Sequence, residues 1–384
     1  MNLQELTKEH GTPLYVTNLD TVSSRYERLD ESLDAFTVKY ASKANFDPLV
    51  VQRLAKKNCE FVAGSSFEAI YLKDNGIDPS SLQVTAVSPK DGSLQHLVSL
   101  SRDSSDFTVT INEYDTVQRL IDRGFRGRVL VRLKPDRSLQ SSSKYSNGSL
   151  LKFGMTDTEI HKTVDSVQDS GDMTLAGFHS HLGGSFLTKN IESFCKHADY
   201  TIEKSKDYVD IDSIDVINFG GGLGIPYRNS QDSLDLDLLN RKLKNRISDY
   251  DMEYVIEPGR FIVAPSTLLL TKVQVTRQEE DGRFVGVDAG MSEFARTTMF
   301  DVHHEIENVT GNNDVCSQTV AGPTCSGADI FCHGRSFDKA EIGDILSIGD
   351  VGAYGSVMSS NFHAYPSPKI VDDKGSLSPL SDGI

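Results

Sequence analysis

The chain reads as an α/β protein: a (β/α)8 TIM-like barrel joined to a C-terminal β-rich, Greek-key-like domain. Three observations carry this expectation. Eight short segments rich in β-branched and aromatic residues alternate with helix-like stretches, the pattern of parallel βαβ units. After Arg260 the texture changes, and strand-like segments follow one another with few helices between. Residue types that carry chemistry gather just past the C-terminal ends of the candidate strands, the face on which barrels place their sites.

In order, the barrel strands are expected at Phe36–Tyr40, Cys59–Ala63, Leu82–Val87, Asp106–Ile111, Arg128–Leu133, Thr174–His179, Val216–Phe219 and Tyr254–Glu257. An amphipathic stretch from Leu49 to Lys57 and a helical one around Phe67–Asn75 separate the first three. Asp136–Gly148, with five serines, reads as a long polar loop at the catalytic face after strand five, functional or simply solvated. Beyond the barrel, strands are expected at Leu268–Thr276, Arg283–Asp288, Val315–Ala321, Asp344–Ile348 and Pro368–Asp372. The barrel is expected over residues 25–260, and a β-rich domain from 1–24 together with 261–384.

Composition narrows the class. With 384 residues, 38% hydrophobic and 24% charged, the chain suits a globular enzyme. Apolar runs such as Phe261–Ala264 and Leu268–Leu270 are far too short to span a bilayer. The first residues lack the apolar core of a signal peptide, so a cytoplasmic location with no membrane partner is expected. A net charge of −16 argues against nucleic acid. The acid excess fits either a salt-rich cytoplasm or an ordinary acidic enzyme. Five cysteines without a Cys-x-x-Cys pair argue against a disulfide framework.

Lys43, in Tyr40-Ala41-Ser42-Lys43-Ala44-Asn45, ends the first strand. A lysine there can be desolvated and form a Schiff base, although most lysines are simply solvated. His179-Ser180-His181-Leu182-Gly183-Gly184-Ser185 follows strand six. Its imidazoles can ligate a metal or stack on a flat cofactor; no acidic or Cys partner is close in sequence, and no metal is expected. Gly220, Gly221 and Gly222 follow strand seven, where exposed N–H groups can cradle an anion. The stretch is neither a P-loop nor a Rossmann fingerprint. Glu257-Pro258-Gly259-Arg260 closes strand eight, offering a carboxylate for a ring nitrogen and a guanidinium for a phosphate or carboxylate, or else a local ion pair at a turn. Cys325 lies among small residues as an acid catalyst or a packed thiol. Tyr354, in Gly352-Ala353-Tyr354-Gly355, can donate to a phosphate or pack at a turn.

Taken in order, a lysine, a stacking His, a triple Gly, Glu-Pro-Gly-Arg, a Cys and Gly-Ala-Tyr-Gly resemble the fold-type III pyridoxal-phosphate decarboxylases. The resemblance runs over nearly the whole chain and is strongest to the diaminopimelate decarboxylases. Val287-Asp288-Ala289-Gly290-Met291, Arg296, His303-His304-Glu305-Ile306 and Leu151-Lys152-Phe153-Gly154 add to it. The resemblance implies pyridoxal 5'-phosphate held covalently by Lys43, with His181 on the ring. It implies Gly220, Gly221, Gly222, Ser185, Arg260 and Tyr354 around the phosphate, and Glu257 on the pyridine nitrogen. Cys325 is implied as the acid that protonates the carbon left by CO2, from across the interface of a homodimer with shared active sites. Substrate contacts are implied for Arg260, Arg296, Phe300, Ser326 and Tyr354.

The chain departs from that family at two positions. Cys-Glu-Ser-Gly-Asp is here Cys325-Ser326-Gly327-Ala328-Asp329, so Ser326 replaces the glutamate that receives a distal amine. Arg-Pro-x-x-Tyr is here Arg296-Thr297-Thr298-Met299-Phe300, so Phe300 replaces a tyrosine. The first expectation is α-decarboxylation of meso-diaminopimelate to L-lysine. A paralogue acting on an amino acid without a distal ammonium is the alternative, favoured by Ser326 and Phe300 and opposed by Arg296. A racemase or a non-catalytic cofactor carrier on the same barrel is the third. A single-domain carrier would lack the β-rich part and Cys325, and a racemase would need a second base where Tyr354 better matches a phosphate role.

Overall fold

The fold is described from a computed structural model, over residues 2–139, 152–247, 251–280, 282–311 and 314–382. The polar loop expected over Asp136–Gly148 lies from residue 140 onward outside the described residues, as does Leu151.

The first strand, β1 (Leu14–Thr17), belongs to the C-terminal sheet. The chain then enters the barrel layer through the helix Leu19–Ser32, whose N-cap Asn18 accepts from Thr21 N–H. Eight parallel strands close the barrel: β2 (Thr37–Ala41), β3 (Glu60–Ala63), β4 (Leu82–Ala86), β5 (Thr108–Ile111), β6 (Arg128–Arg132), β7 (Thr174–His179), β8 (Val216–Asn218) and β9 (Glu253–Ile256). Closure comes from β2 on β9, with Thr37 opposite Val255 and Val38 opposite Ile256.

Local sequence explains the helix starts. Asp47 caps a helix whose first residue is Pro48, which needs no N–H there. Thr156 and Glu159 form a reciprocal capping box ahead of Asp157–Asp169. Strands such as β5 are buried along their whole length, as parallel strands covered on both faces must be. The main core lies between strands and helices, while Leu130, Ala176, Val216 and Val255 fill part of the barrel interior. Other strand residues are buried and polar: Gln83, Thr110, Arg132 and Asn218. Burial of that kind requires partners, and the partners define the site.

The second sheet runs β12 (Ile306–Asn308), β15 (Ile345–Ile348), β10 (Thr267–Glu279), β11 (Gly282–Val287), β13 (Val315–Ala321), β14 (Ile330–Asp338). β1 joins β10 antiparallel and β16 (Lys369–Asp372) parallel. The return of β15 to lie beside β10 is a Greek-key feature, whereas the β11–β13 pair is parallel. Its core is separate, built on Leu269, Val285, Phe294, Leu346 and Ile348. Among the described residues no helix is long and apolar enough to cross a membrane.

Candidate active site

Lys43 leaves β2 in a single 3-10 turn, Ser42–Ala44. Gly64, just past β3, keeps space for it: a Cβ there would meet Lys43 Cβ and Cδ at 3.4 Å. Lys43 is exposed in the single chain, so its own chain does not supply the desolvation that a strand-end lysine suggested. The turn is clasped from the other sheet. Tyr354 N–H donates to Ala44 O at 2.8 Å and Asn45 Nδ2 donates to Gly352 O at 3.1 Å. Tyr354 is thereby placed beside Lys43 within one chain, at φ +58°.

Glu257 follows β9 and is buried. Its Oε1 accepts from Gln83 Nε2 and from Asn218 Nδ2, both at 2.8 Å, across the barrel interior. Gln83 also donates to Thr110 Oγ1 and accepts from Asn218, so the three polar side chains satisfy one another. His179 Nε2 stands 3.5 Å from Glu257 Oε2 without a hydrogen bond. Burial opposes the charge on Glu257, but His179 and then Lys43 outweigh it and hold the carboxyl well below the usual carboxylate range. Burial pushes His179 down despite the carboxylate beside it.

His181 accepts at Nδ1 from Gly221 N–H, 3.1 Å away. That contact requires a neutral ring with its proton on Nε2. Burial, then the charges of Lys43 and Arg132, push its pKa well below the usual histidine value in agreement. The loops after β7 and β8 are zipped together: Phe186 N–H donates to Gly222 O and Gly224 N–H to Phe186 O, each at 2.9 Å. The zipper leaves no room for side chains at the glycines. A Cβ on Gly221 would lie 2.0 Å from Glu257 O, and one on Gly222, at φ +112°, 2.1 Å from Gly183 O. Gly220 has φ +68°, and Ser185 is exposed at φ +67°.

A second cluster adjoins the first. Arg260 Nη1 donates to Tyr227 Oη at 2.7 Å, and Arg296 Nη1 donates to the same oxygen at 3.0 Å. The Arg260 guanidinium also lies 5.0 Å from the Tyr354 ring centre. Arg296 is buried, and burial lowers its pKa. Its other neighbours are His304 Nε2 and Ala353 O, each at 3.4 Å. His304 donates from Nδ1 to Gly349 O at 2.8 Å, and burial holds its pKa at about 3. Among the described residues, neither arginine has a carboxylate within ion-pair distance.

Cys325 and Ser326 form a third group on the turn before β14. Cys325 is exposed, and among the described residues no hydrogen bond or ion pair joins it to the Lys43 group. Its turn is tied instead to the helix Arg296–Phe300 through Thr298 Oγ1, which donates to Ala328 O at 3.1 Å. Phe300 ends that helix, half-buried. Asp329 is buried and accepts from Met291 N–H at 2.7 Å and Thr324 N–H at 3.0 Å. Glu305 pairs with His303 at 2.8 Å.

Sequence reasoning missed Gln83, Asn218, Arg132 and Tyr227. For three of them a signal existed, a polar residue inside a strand that is otherwise buried. Tyr227, five residues past Gly222, gave none.

Residues 19–264 match the family model of the pyridoxal-dependent decarboxylases, pyridoxal binding domain. The chain belongs to the pyridoxal-dependent decarboxylases. It is 30% identical, over 96% of its length and 87% of the other, to a diaminopimelate decarboxylase of Methanocaldococcus jannaschii. It is 29% identical to one of Methanothermobacter thermautotrophicus, over 95% and 87%. The crystal structure of the M. jannaschii diaminopimelate decarboxylase with L-lysine superposes with a TM-score of 0.87 at 26% identity, covering 97% of this chain and 90% of that one. This pyridoxal-dependent decarboxylase is thus an enzyme, a carboxy-lyase acting on an amino acid with pyridoxal phosphate as cofactor. The residues present fit that cofactor: an amine for its aldehyde, an ionised buried carboxylate for its pyridine nitrogen, a neutral imidazole, and a glycine cradle with guanidinium groups for its phosphate.

Proposed function

We propose that the enzyme removes CO2 from the α-carbon of an amino acid that carries a distal carboxylate, with meso-diaminopimelate as substrate and L-lysine as product. The observation that carries this reading is the Arg260–Tyr227–Arg296 cluster, two guanidiniums converging on one phenol. One of the two is used on the cofactor phosphate, leaving the other for a carboxylate. The names of the relatives support the choice of substrate.

In this reading Lys43 binds the cofactor, His181 faces its ring, and Glu257 holds a proton at its pyridine nitrogen. Ser185, Gly220, Gly221, Gly222, Arg260 and Tyr354 receive the phosphate. The bound cofactor supplies an electron sink for the bond that breaks. Arg296 orients the substrate with Arg260, Tyr354, Phe300 and Ser326. Cys325, from the partner subunit of a cytoplasmic homodimer, donates the proton that replaces CO2. The cofactor-binding part is residues 25–260, and residues 1–24 with 261–384 complete the partner's site.

A second reading has a specific observation behind it. Ser326 offers a distal ammonium only a neutral hydrogen bond, and the two acids that could stand in are committed elsewhere, Asp329 to two backbone N–H groups and Glu305 to His303. A substrate without a distal amine fits that arrangement. CO2 release from diaminopimelate, ornithine, arginine and lysine, measured against added cofactor, decides. Preference for diaminopimelate is expected; preference for an amino acid without a distal carboxylate overturns the reading.

A further inference from the structure

The segment after the Gly352–Gly355 loop carries an arrangement that the proposed roles do not use. His363 and Ala364 both have φ +58°. Consecutive non-glycine residues in the left-handed region are strained, and such strain persists where the surroundings hold it and tends to mark function. The holding contacts are present. Ser360 N–H donates to Ser292 O at 2.8 Å, and Ser292 Oγ donates to Phe362 O at 3.1 Å. The Phe362 ring lies 4.1 Å from that of His363, and the Tyr365 ring 6.4 Å away on a nearly parallel plane. The outcome is that His363 Nε2 stands 3.4 Å from Cys325 Sγ. Cys59, Cys195 and Cys332 are buried and Cys316 is half-buried, so the imidazole is set against the one exposed thiol.

We infer that His363 is the proton partner of Cys325, returning a proton to the sulfur after the thiol has protonated the substrate carbon. The inference rests on the role proposed above for Cys325. The balance is simple. The S–H bond breaks as the new C–H bond forms, leaving a thiolate. The Nε2–H bond of the His363 imidazolium then breaks as S–H re-forms, and the exposed imidazole regains its proton from water. His363 touches sulfur and not substrate, so it is a positioning residue. Among the described residues, the other titratable groups on the elements around the pair are Tyr365, whose hydroxyl donates to Pro323 O at 3.5 Å, Asp329, fixed on backbone N–H groups, Glu293, which accepts from Gly290 N–H at 2.7 Å, and Arg296, which donates to Tyr227 Oη.

The test uses the cofactor-loaded enzyme and the variants His363→Gly, His363→Asn and Cys325→Ala. Glycine removes the backbone strain and asparagine tolerates it, so both are expected to fold. Alkylation of Cys325 by iodoacetamide, followed on its peptide by mass spectrometry, is expected to slow about tenfold at neutral pH in both His363 variants, because a neighbouring imidazole can take the thiol proton as sulfur attacks the reagent. The turnover number is expected to fall with little change in KM, and added imidazole is expected to restore part of it in His363→Gly. Wild-type alkylation in His363→Gly, or turnover that imidazole leaves unmoved, overturns the inference. Full turnover in Cys325→Ala overturns the role of Cys325 instead, and the inference with it; loss of turnover there with wild-type behaviour of both His363 variants isolates the failure to His363.

Discussion

Replacing Glu257 with glutamine tests whether the buried carboxylate activates the cofactor or merely fills the barrel. The two donors on Oε1, Gln83 Nε2 and Asn218 Nδ2 at 2.8 Å, can both be kept by an amide oxygen. The new amide NH2 then faces His179, whose ring nitrogens have no hydrogen-bond partner among the described residues. The fold and cofactor retention should therefore survive Glu257→Gln, with a stability change of about 1 kcal/mol or less. What disappears is the negative charge, and with it the means of holding a proton on the ring nitrogen. A hydrogen bond to a charged group contributes about 1.5–3 kcal/mol. At the upper end the turnover number falls by more than about a hundredfold. The assay is CO2 release at saturating substrate, beside cofactor content measured by absorbance. A variant that keeps its cofactor and turns over at the wild-type rate would falsify the role given to Glu257.

Four further outcomes are expected. Borohydride should trap cofactor on Lys43, and Lys43→Ala should lose that adduct; the same adduct in the variant would remove Lys43 from its role. Tyr227→Phe deletes the oxygen shared by Arg260 and Arg296, so the KM for diaminopimelate should rise about tenfold, the equivalent of one hydrogen bond to a charged group; an unchanged KM refutes the cluster's role. Diaminopimelate should be turned over with a raised KM that Ser326→Glu lowers, whereas loss of activity in Ser326→Glu favours the substrate without a distal amine. Stability should fall as pH drops below that of ordinary histidine titration. Burial holds His197 at about 4 and His304 at about 3, so the unfolded chain takes up protons first, and from pH 6.5 to 5 each costs about 2 kcal/mol. Equal urea midpoints at pH 7 and pH 5 would contradict this.

The barrel was legible because its strands are short, mostly apolar runs set apart by helix-like stretches, and Thr174–His179 was delimited to the residue. The strands that escaped notice lie in the other sheet. Leu14–Thr17 is four residues between two helices and gains strand character only by pairing with β10 and β16, some 250 and 350 residues onward. Ile330–Asp338 is interrupted at Gly334, φ +52°, which blurs its alternation. In the site, the legible part was whatever sat past a strand end: Lys43, His181, the glycines, Glu257. Gln83 and Asn218 escaped because their positions inside strands look like structural noise until the barrel closes and turns them toward Glu257. Tyr227 depends on where Arg296 arrives from the second sheet, which no local pattern encodes.

The clasp on the Lys43 turn bears on how the enzyme is made. Lys43 is translated well before the second sheet: the carbonyl of Gly352 that holds Asn45 and the Tyr354 amide that holds Ala44 follow some three hundred residues later. The ribosome completes all eight barrel strands before it delivers either partner. A nascent chain halted after β9 carries all eight barrel strands and the Lys43 amine, with that turn unfastened. With Lys43 in the role proposed for it, capture of the cofactor in its finished geometry would await the arrival of the C-terminal sheet and not only the folding of the barrel that bears the lysine.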